Sequence, residues 1–307
     1  TNEGSMSFVE KIDTDKITQL KPHPTVANRY VAADYTGGVK VFTIDPSDGD
    51  ITQVSHRDDG GHNHIDLEVT GGYVYATFMN GGYQSYLIAD NGTLTQGTTL
   101  DVAAHFNYDK ILEHEGLLFA NGYNSRLIDV ATVSGSKVVS QTQGGTNDKY
   151  LESEIVSMQE YKGVFYCLDR SGLISAFKVD DEEFAWVQYP EQVTIHGPGG
   201  TGIGTTSDMS IGEIWNSTSA TYYPYLYVSS NYGELIKYYI NSDGTLRYDG
   251  QLYDQSNFGN HTTQDGWATI AASGSYVYGT TRPYSNNFSS ADVVLKVQYS
   301  EYWEGQR

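Results

Sequence analysis

Apolar and polar positions alternate in short runs along this chain, and the runs recur in a fixed order. A Tyr-rich apolar strand leads to a short polar turn, a second strand, an Asp-Gly or Asn-Gly turn and a third strand. The clearest copies are residues 30–54 (YVAADYTGGVKVFTIDPSDGDITQV), 73–97 (YVYATFMNGGYQSYLIADNGTLTQG) and 225–250 (YLYVSSNYGELIKYYINSDGTLRYDG). Weaker copies begin at Leu117, Val164 and Tyr276, and successive copies start 43, 44, 47, 61 and 51 residues apart. Four-stranded propeller blades repeat at about 40–50 residues. One more strand precedes each copy, at residues 20–25, 65–69, 109–113, 154–158, 208–213 and 267–271, and reads as the innermost of its blade. Asp48-Gly49, Asn91-Gly92 and Asp243-Gly244 fit two-residue outer hairpins, which demand positive φ. Residues 7–12 (SFVEKI) have no blade of their own and read as the outer strand of the last one, which closes the ring and removes its free edges. The pattern therefore predicts an all-β fold: one domain over residues 1–307, a six-bladed β-propeller closed by the N-terminal strand. Seven blades are the alternative, should the long fourth spacing hide further strands.

Composition narrows the partners. No apolar run approaches the roughly 18 residues of a membrane span, and no helix-period segment stands out. The formal net charge is −20, which repels phosphate backbones and anionic membranes. The expectation is a small-molecule or saccharide ligand, no nucleic acid, no membrane, no organic cofactor and a monomer. Cys167, the single cysteine, lies inside the strand VFYCL and reads as buried packing. Four Asn-x-Ser/Thr triplets, at Asn91, Asn216, Asn260 and Asn287, together with the acidity lean toward secretion.

The inner strands face the channel, so their residues carry the candidate chemistry. An acid recurs near each: Asp66, Asp109, Glu154, Asp208 and Asp265, with His23 in the matching place of the first blade. A second column lies ahead of the acids and holds His62, His105 and His261, with His64 beside them. Carboxylates crowded on one axis repel unless protonated, solvated or neutralised. Histidine with carboxylate also suits one divalent metal ion in the channel, the candidate ligands being His62, His64, His105, His261, Asp66, Asp109 and Asp265. The alternative is that each acid hydrogen-bonds backbone of a neighbouring blade. The turns between the second and third strands belong to the same mouth. They carry Asn80, Asn231, Arg126, Arg170 and Arg282, with Tyr123, Tyr232 and Tyr284. Arginine forks bind carboxylate or phosphate bidentately, so a cationic rim stands against simple ion pairs such as Asp169 with Arg170. The tyrosines suit stacking on a ring or proton transfer.

The phrases YVAADYTGGVKVFTID, NGTLTQ and YLYVSSNYGELIKYYINSDGTL resemble the lactonase-type propellers, the group of bacterial-type 6-phosphogluconolactonases and fungal carboxy-cis,cis-muconate cyclases. The resemblance covers about half the chain and is mostly blade grammar. It implies lactone opening or closing on an anionic substrate, with His62, His105, Arg126, Glu154 and Arg170 at the channel mouth. The family has seven blades, one more than the repeats give here. Two function classes follow. One is an enzyme acting on a carboxylated small molecule or sugar acid, by lactone hydrolysis, cyclisation or β-elimination. In it His62, His105, Tyr123, Glu154 and Tyr232 are catalytic, and Arg126, Arg170, Arg282, Asn80, Asn231 and Tyr284 bind substrate. The other is a non-catalytic, secreted propeller that binds glycan or protein.

Overall fold

A computed structural model describes residues 17–58, 63–79, 82–101, 108–122, 127–135, 137–141, 149–150, 153–180, 183–192, 206–230, 234–253, 266–274, 276–282 and 294–298. The chain divides into two compact units, residues 1–151 and 152–307. Among the described residues every regular element is a β-strand, and each sheet is an antiparallel meander of consecutive strands, the form of a β-propeller blade. The closing strand expected at residues 7–12 lies outside the described residues.

Unit 1 holds three sheets. The first runs β1 (Ile17–Pro22), β2 (Arg29–Asp34), β3 (Gly38–Ile44) and β4 (Ile51–Arg57); the second β5 (His64–Thr70), β6 (Tyr73–Phe78), β7 (Gly82–Ile88) and β8 (Leu94–Asp101). The third runs β9 (Tyr108–His114), β10 (Leu117–Gly122), β11 (Leu127–Ser134) and β12 (Lys137–Gln141), and a two-residue β13 (Lys149–Tyr150) also pairs with β11. Unit 2 repeats the scheme. It has β14 (Ile155–Tyr161), β15 (Val164–Asp169), β16 (Leu173–Asp180) and β17 (Glu183–Gln192), then β18 (Thr206–Asn216), β19 (Thr221–Ser230), β20 (Leu235–Ile240) and β21 (Leu246–Tyr253). Its third sheet has three described strands, β22 (Gly266–Ser273), β23 (Tyr276–Arg282) and β24 (Val294–Gln298).

Alternation along the middle strands sends one set of side chains to each neighbouring sheet. Val31, Ala33, Val39 and Val41 of the first sheet meet Leu67, Val74, Ala76, Tyr86 and Ile88 of the second in one buried cluster. Tyr75 and Tyr83, on the opposite face of that second sheet, meet Ile111, Leu118 and Ala131 of the third. In unit 2, Tyr166, Leu168 and Ile174 pack on Met209, Leu226, Val228 and Tyr238, and Tyr225, Tyr227 and Leu235 pack on Ile270 and Val277. Cys167 is 1% exposed, and burial alone pushes its thiol pKa far up. The tyrosines explain the unusual composition: a large ring fills the gap between blades, as Tyr83, Tyr86, Tyr166 and Tyr227 do at full burial.

The outer hairpins are longer than the sequence suggests. Ala89 N donates to Thr93 O and Gly92 N to Ala89 O, and the same bonds recur at Asn241, Gly244 and Thr245, giving three-residue loops that end on a left-handed glycine. Asn91 and Asp243 do not take up positive φ; their side chains instead accept the N–H two residues on, at Thr93 and Thr245, both at 2.9 Å. Gly92 and Gly244 adopt φ of 87° and 90° and lie so close to the preceding sheet that a Cβ would stand 2.8 Å from Val54 and 2.7 Å from Val164. The hairpin tip thus docks one blade on the next.

Candidate functional site

Strand register shows which end of a blade is which. Ile17 pairs with Asp34, His64 with Phe78, Ile155 with Asp169 and Gly266 with Arg282. The turn between second and third strands therefore lies at the end where the inner strand begins, the end expected from the sequence to be the mouth. Each described inner strand then skips one residue, after the first rung at Thr18, Ile65, Asp109, Val156 and Ser207, and after the second at Ala268. The repetition makes the bulge a built feature of the blade.

The bulge corrects the acid column. The residues in register with Asp66 are Gln19, Lys110, Ser157, Asp208 and Thr269. Asp109 falls on the bulge itself, and Glu154 precedes β14. His23 does not match Asp66 either: it follows β1, at the end away from the mouth. The loop of residues 23–28 that joins β1 to β2 is longer than the two-residue turns of the next sheets, so a count back from Tyr30 slips. His23 Nδ1 accepts the N–H groups of Thr25 and Val26 at 3.3 and 3.2 Å, and caps that loop.

The two acids that do share a register do the same work. Asp66 is 3% exposed; its Oδ1 accepts from Gln19 Nε2 at 2.8 Å and Leu67 N at 2.9 Å, and its Oδ2 accepts from Ile111 N at 3.0 Å. In unit 2, Asp208 Oδ1 accepts from Ser157 Oγ at 2.8 Å and Met209 N at 2.9 Å, and Oδ2 from Ile270 N at 3.0 Å. Each carboxylate ties three adjacent inner strands together. This is the alternative role foreseen for inner-strand acids.

At the mouth end of unit 1, His64 is fully buried, its ring edge-on to Phe78 with centroids 6.4 Å apart. The Thr18 hydroxyl donates to the His64 carbonyl at 3.2 Å and to Ala33 O at 3.1 Å. The Tyr35 hydroxyl donates to Met79 Sδ at 2.9 Å. Asp34, fully buried, is ion-paired with Lys40, whose side chain is 11% exposed. A Cβ on Gly37 would lie 2.9 Å from both partners, so a larger residue there would push the ion pair aside.

At the mouth end of unit 2, Arg170 Nη2 meets Glu154 Oε1 at 2.9 Å, and the backbone repeats the link through Arg170 N to Glu154 O at 2.7 Å. Arg170 is 50% exposed and Glu154 14%. The guanidinium is thus held at one nitrogen while half of the side chain stays exposed. Asp169 does not pair with it: its Oδ1 accepts from Ser171 Oγ at 2.7 Å and Leu173 N at 2.8 Å, which shapes the turn. Buried Glu234 lies in the next blade's turn and accepts from Ser230 Oγ at 3.3 Å.

Of the expected site residues, Glu154 and Arg170 come together, and His64 and Asp66 lie on one strand. His62, His105, Tyr123, Tyr232, Arg126, Asn80, Asn231, Tyr284, His261 and Asp265 lie outside the described residues, and of Asp109 and Arg282 only the strand position is described. Among the described residues no three His, Cys, Asp or Glu side chains are placed to hold a metal. Sequence reasoning missed Lys40 and Glu234; the signal for the first was a lysine inside the apolar strand GVKVFTI.

No family model matches the chain, and no curated protein matches it in sequence. Solved structures match its fold. A candidate 6-phosphogluconolactonase of Bacteroides fragilis superposes with TM-score 0.65 at 12% identity, over 94% of this chain and 87% of that one. Another from Bacteroides uniformis gives 0.63 at 14% identity, over 94% and 88%. A Lactobacillus plantarum protein gives 0.60 at 15% identity, over 97% and 88%. The fold is thus that of lactonase-type proteins, as the blade phrases implied. Identity this low carries fold alone.

Proposed function

We propose that the chain is a lactonase-type enzyme acting on a carboxylated small molecule or sugar acid at the mouth end of its blades. The observation that carries this is Arg170, half exposed and pinned by Glu154 in a turn at that end. A fixed guanidinium binds a carboxylate or phosphate with little ordering cost. In lactone hydrolysis, water adds to the ring carbonyl as a base removes its proton. The ester C–O bond then breaks and the leaving oxygen takes a proton. Histidine is the residue type that carries such a proton near neutral pH, and the candidates are His62 and His105, with Tyr123 and Tyr232 as the phenol candidates. Arg126, Arg282, Asn80, Asn231 and Tyr284 are the further candidates for holding the substrate, each to be tested by substitution. In this reading Asp66 serves the strands, which leaves His62, His64, His105, His261, Asp109 and Asp265 as the candidate ligands for the expected divalent cation.

The test is proton release from δ-lactones of sugar acids, with and without a phosphate or second carboxylate. Hydrolysis above the uncatalysed rate is expected. Arg170→Ala should raise KM about ten- to a hundredfold, the size of a lost hydrogen bond to a charged group, and His105→Ala should lower kcat about 10²-fold or more. No hydrolysis of any lactone, or unchanged constants in both variants, refutes the reading.

A further inference from the structure

The β18–β19 hairpin is built differently from its equivalents. Its strands have 11 and 10 residues, against 6 or 7 in β1–β2, β5–β6, β9–β10 and β14–β15, and the surplus rungs extend it at the end away from the mouth. There Trp215 pairs with Tyr222. The two rings lie 4.9 Å apart, tilted by 58°, and remain 45% and 57% exposed. Beside them opens a cleft of about 600 Å³ between the ends of β14, β18 and β22, lined by Gln159, Glu160, Tyr161, Glu213, Tyr222 and Ser273 among others. Gly212 forms part of it; a Cβ there would stand 2.8 Å from the Ala272 Cβ, so glycine lets β18 and β22 close up beneath the cleft.

The lining has a definite chemistry. The Tyr161 hydroxyl donates to Glu213 Oε1 at 2.6 Å, which orients the carboxylate. The Lys162 ammonium sits 4.8 Å over the Tyr161 ring. A carboxylate, an amide and a serine hydroxyl beside an exposed aromatic face do not suit an apolar partner. They suit a ligand with hydroxyls around its edge and C–H groups on its faces. A sugar ring has that form: Glu213 accepts from adjacent hydroxyls, and Tyr222, backed by Trp215, covers the C–H face.

We propose that this cleft is a saccharide-binding subsite, separate from the mouth-end chemistry and independent of it. The test is titration of the purified full chain with a panel of neutral and N-acetylated oligosaccharides, read by calorimetry and by ligand-observed NMR. The expected result is millimolar or tighter binding of at least one. Tyr222→Ala and Glu213→Gln should each weaken it about tenfold or more, while Arg170→Ala leaves it unchanged. Both substitutions lie on an exposed hairpin, and circular dichroism checks the fold. Absence of binding across the panel overturns the proposal. So does binding that survives both hairpin variants, or that is lost in Arg170→Ala, which would place the sugar at the mouth instead.

Discussion

Replacing Asp66 by Asn tests whether the inner-strand acids hold the blades in register. The carboxylate accepts one donor from each neighbouring sheet, Gln19 Nε2 at 2.8 Å and Ile111 N at 3.0 Å, plus Leu67 N within its own strand. An amide keeps one acceptor oxygen and turns an NH₂ toward the remaining donor or donors. At least one buried N–H then faces another donor, and the bonds kept lose their charge assistance. A buried unsatisfied donor costs about 1–3 kcal/mol, and the lost charge assistance adds about 1 kcal/mol, for a total near 2–4 kcal/mol. In a chain of this size that lowers Tm by about 4–12 °C. Asp208→Asn should do the same, since Ser157 Oγ, Met209 N and Ile270 N repeat the geometry. Thermal unfolding by circular dichroism, with and without EDTA, is the assay. The loss should be equal in both buffers. A drop under about 1 °C would refute the latch. A drop that EDTA abolishes would show that Asp66 holds a cation, as the sequence first suggested.

Other outcomes follow from named groups. Lys40→Met removes the cation from a carboxylate with no exposed surface and should cost about 3–5 kcal/mol in denaturant unfolding; a loss below 1 kcal/mol contradicts a buried pair. Burial pushes the Tyr75 hydroxyl up to about 12 and raises Tyr166 and Tyr227 as well. These raised values favour the fold below the free phenol value near 10 and lose that support as pH climbs through the folded values. Alkaline unfolding should therefore coincide with phenolate absorbance at 295 nm, and early titration of all the tyrosines would contradict this. Cys167, buried with a raised thiol pKa, should react with a disulfide reagent only at the unfolding rate. Metal analysis after dialysis against zinc or manganese should find one bound equivalent that His64→Ala weakens; an empty protein ends the metal reading.

The repeat was legible because blade cores obey a local rule. Alternating strands with tight turns appear wherever the structure shows sheets, and Tyr30, Tyr73, Leu117, Val164 and Tyr276 each sit at or next to the start of a second strand. Equivalence along the inner strands was less legible. Asp109 and Asp66 look matched in a linear count, yet the bulge moves one out of the ladder and keeps the other in it. A bulge leaves no composition signal, since Thr, Ile, Asp, Val, Ser and Ala all occupy it. Partner choice was also hidden. Arg170 has Asp169 beside it in sequence, but that carboxylate is already committed to Ser171 and Leu173, so the guanidinium reaches back to Glu154. Long-range geometry decides such pairings, and a single sequence does not display it.

The latch and the bulge together explain how a variable mouth can ride on a constant frame. In each unit one aspartate fixes the middle inner strand to both neighbours two residues after its first rung. Everything before the bulge is then free of the ladder's side-chain alternation. His64 therefore packs against Phe78 while Ile155, its register equivalent, is buried apolar and is preceded by the Glu154 carboxylate. Exposed groups at that end can change with little effect on the blades below, because the carboxylate tie lies beneath them; the buried Asp34–Lys40 pair is the exception and belongs to the frame. Loss of Arg170 or Glu154, a pair open to solvent on the arginine side, should consequently cost about 1 kcal/mol, well below the roughly 2–4 kcal/mol expected for loss of Asp66 or Asp208. Unfolding measured on all four variants separates frame from site: equal destabilisation across the set would show that the mouth is part of the frame.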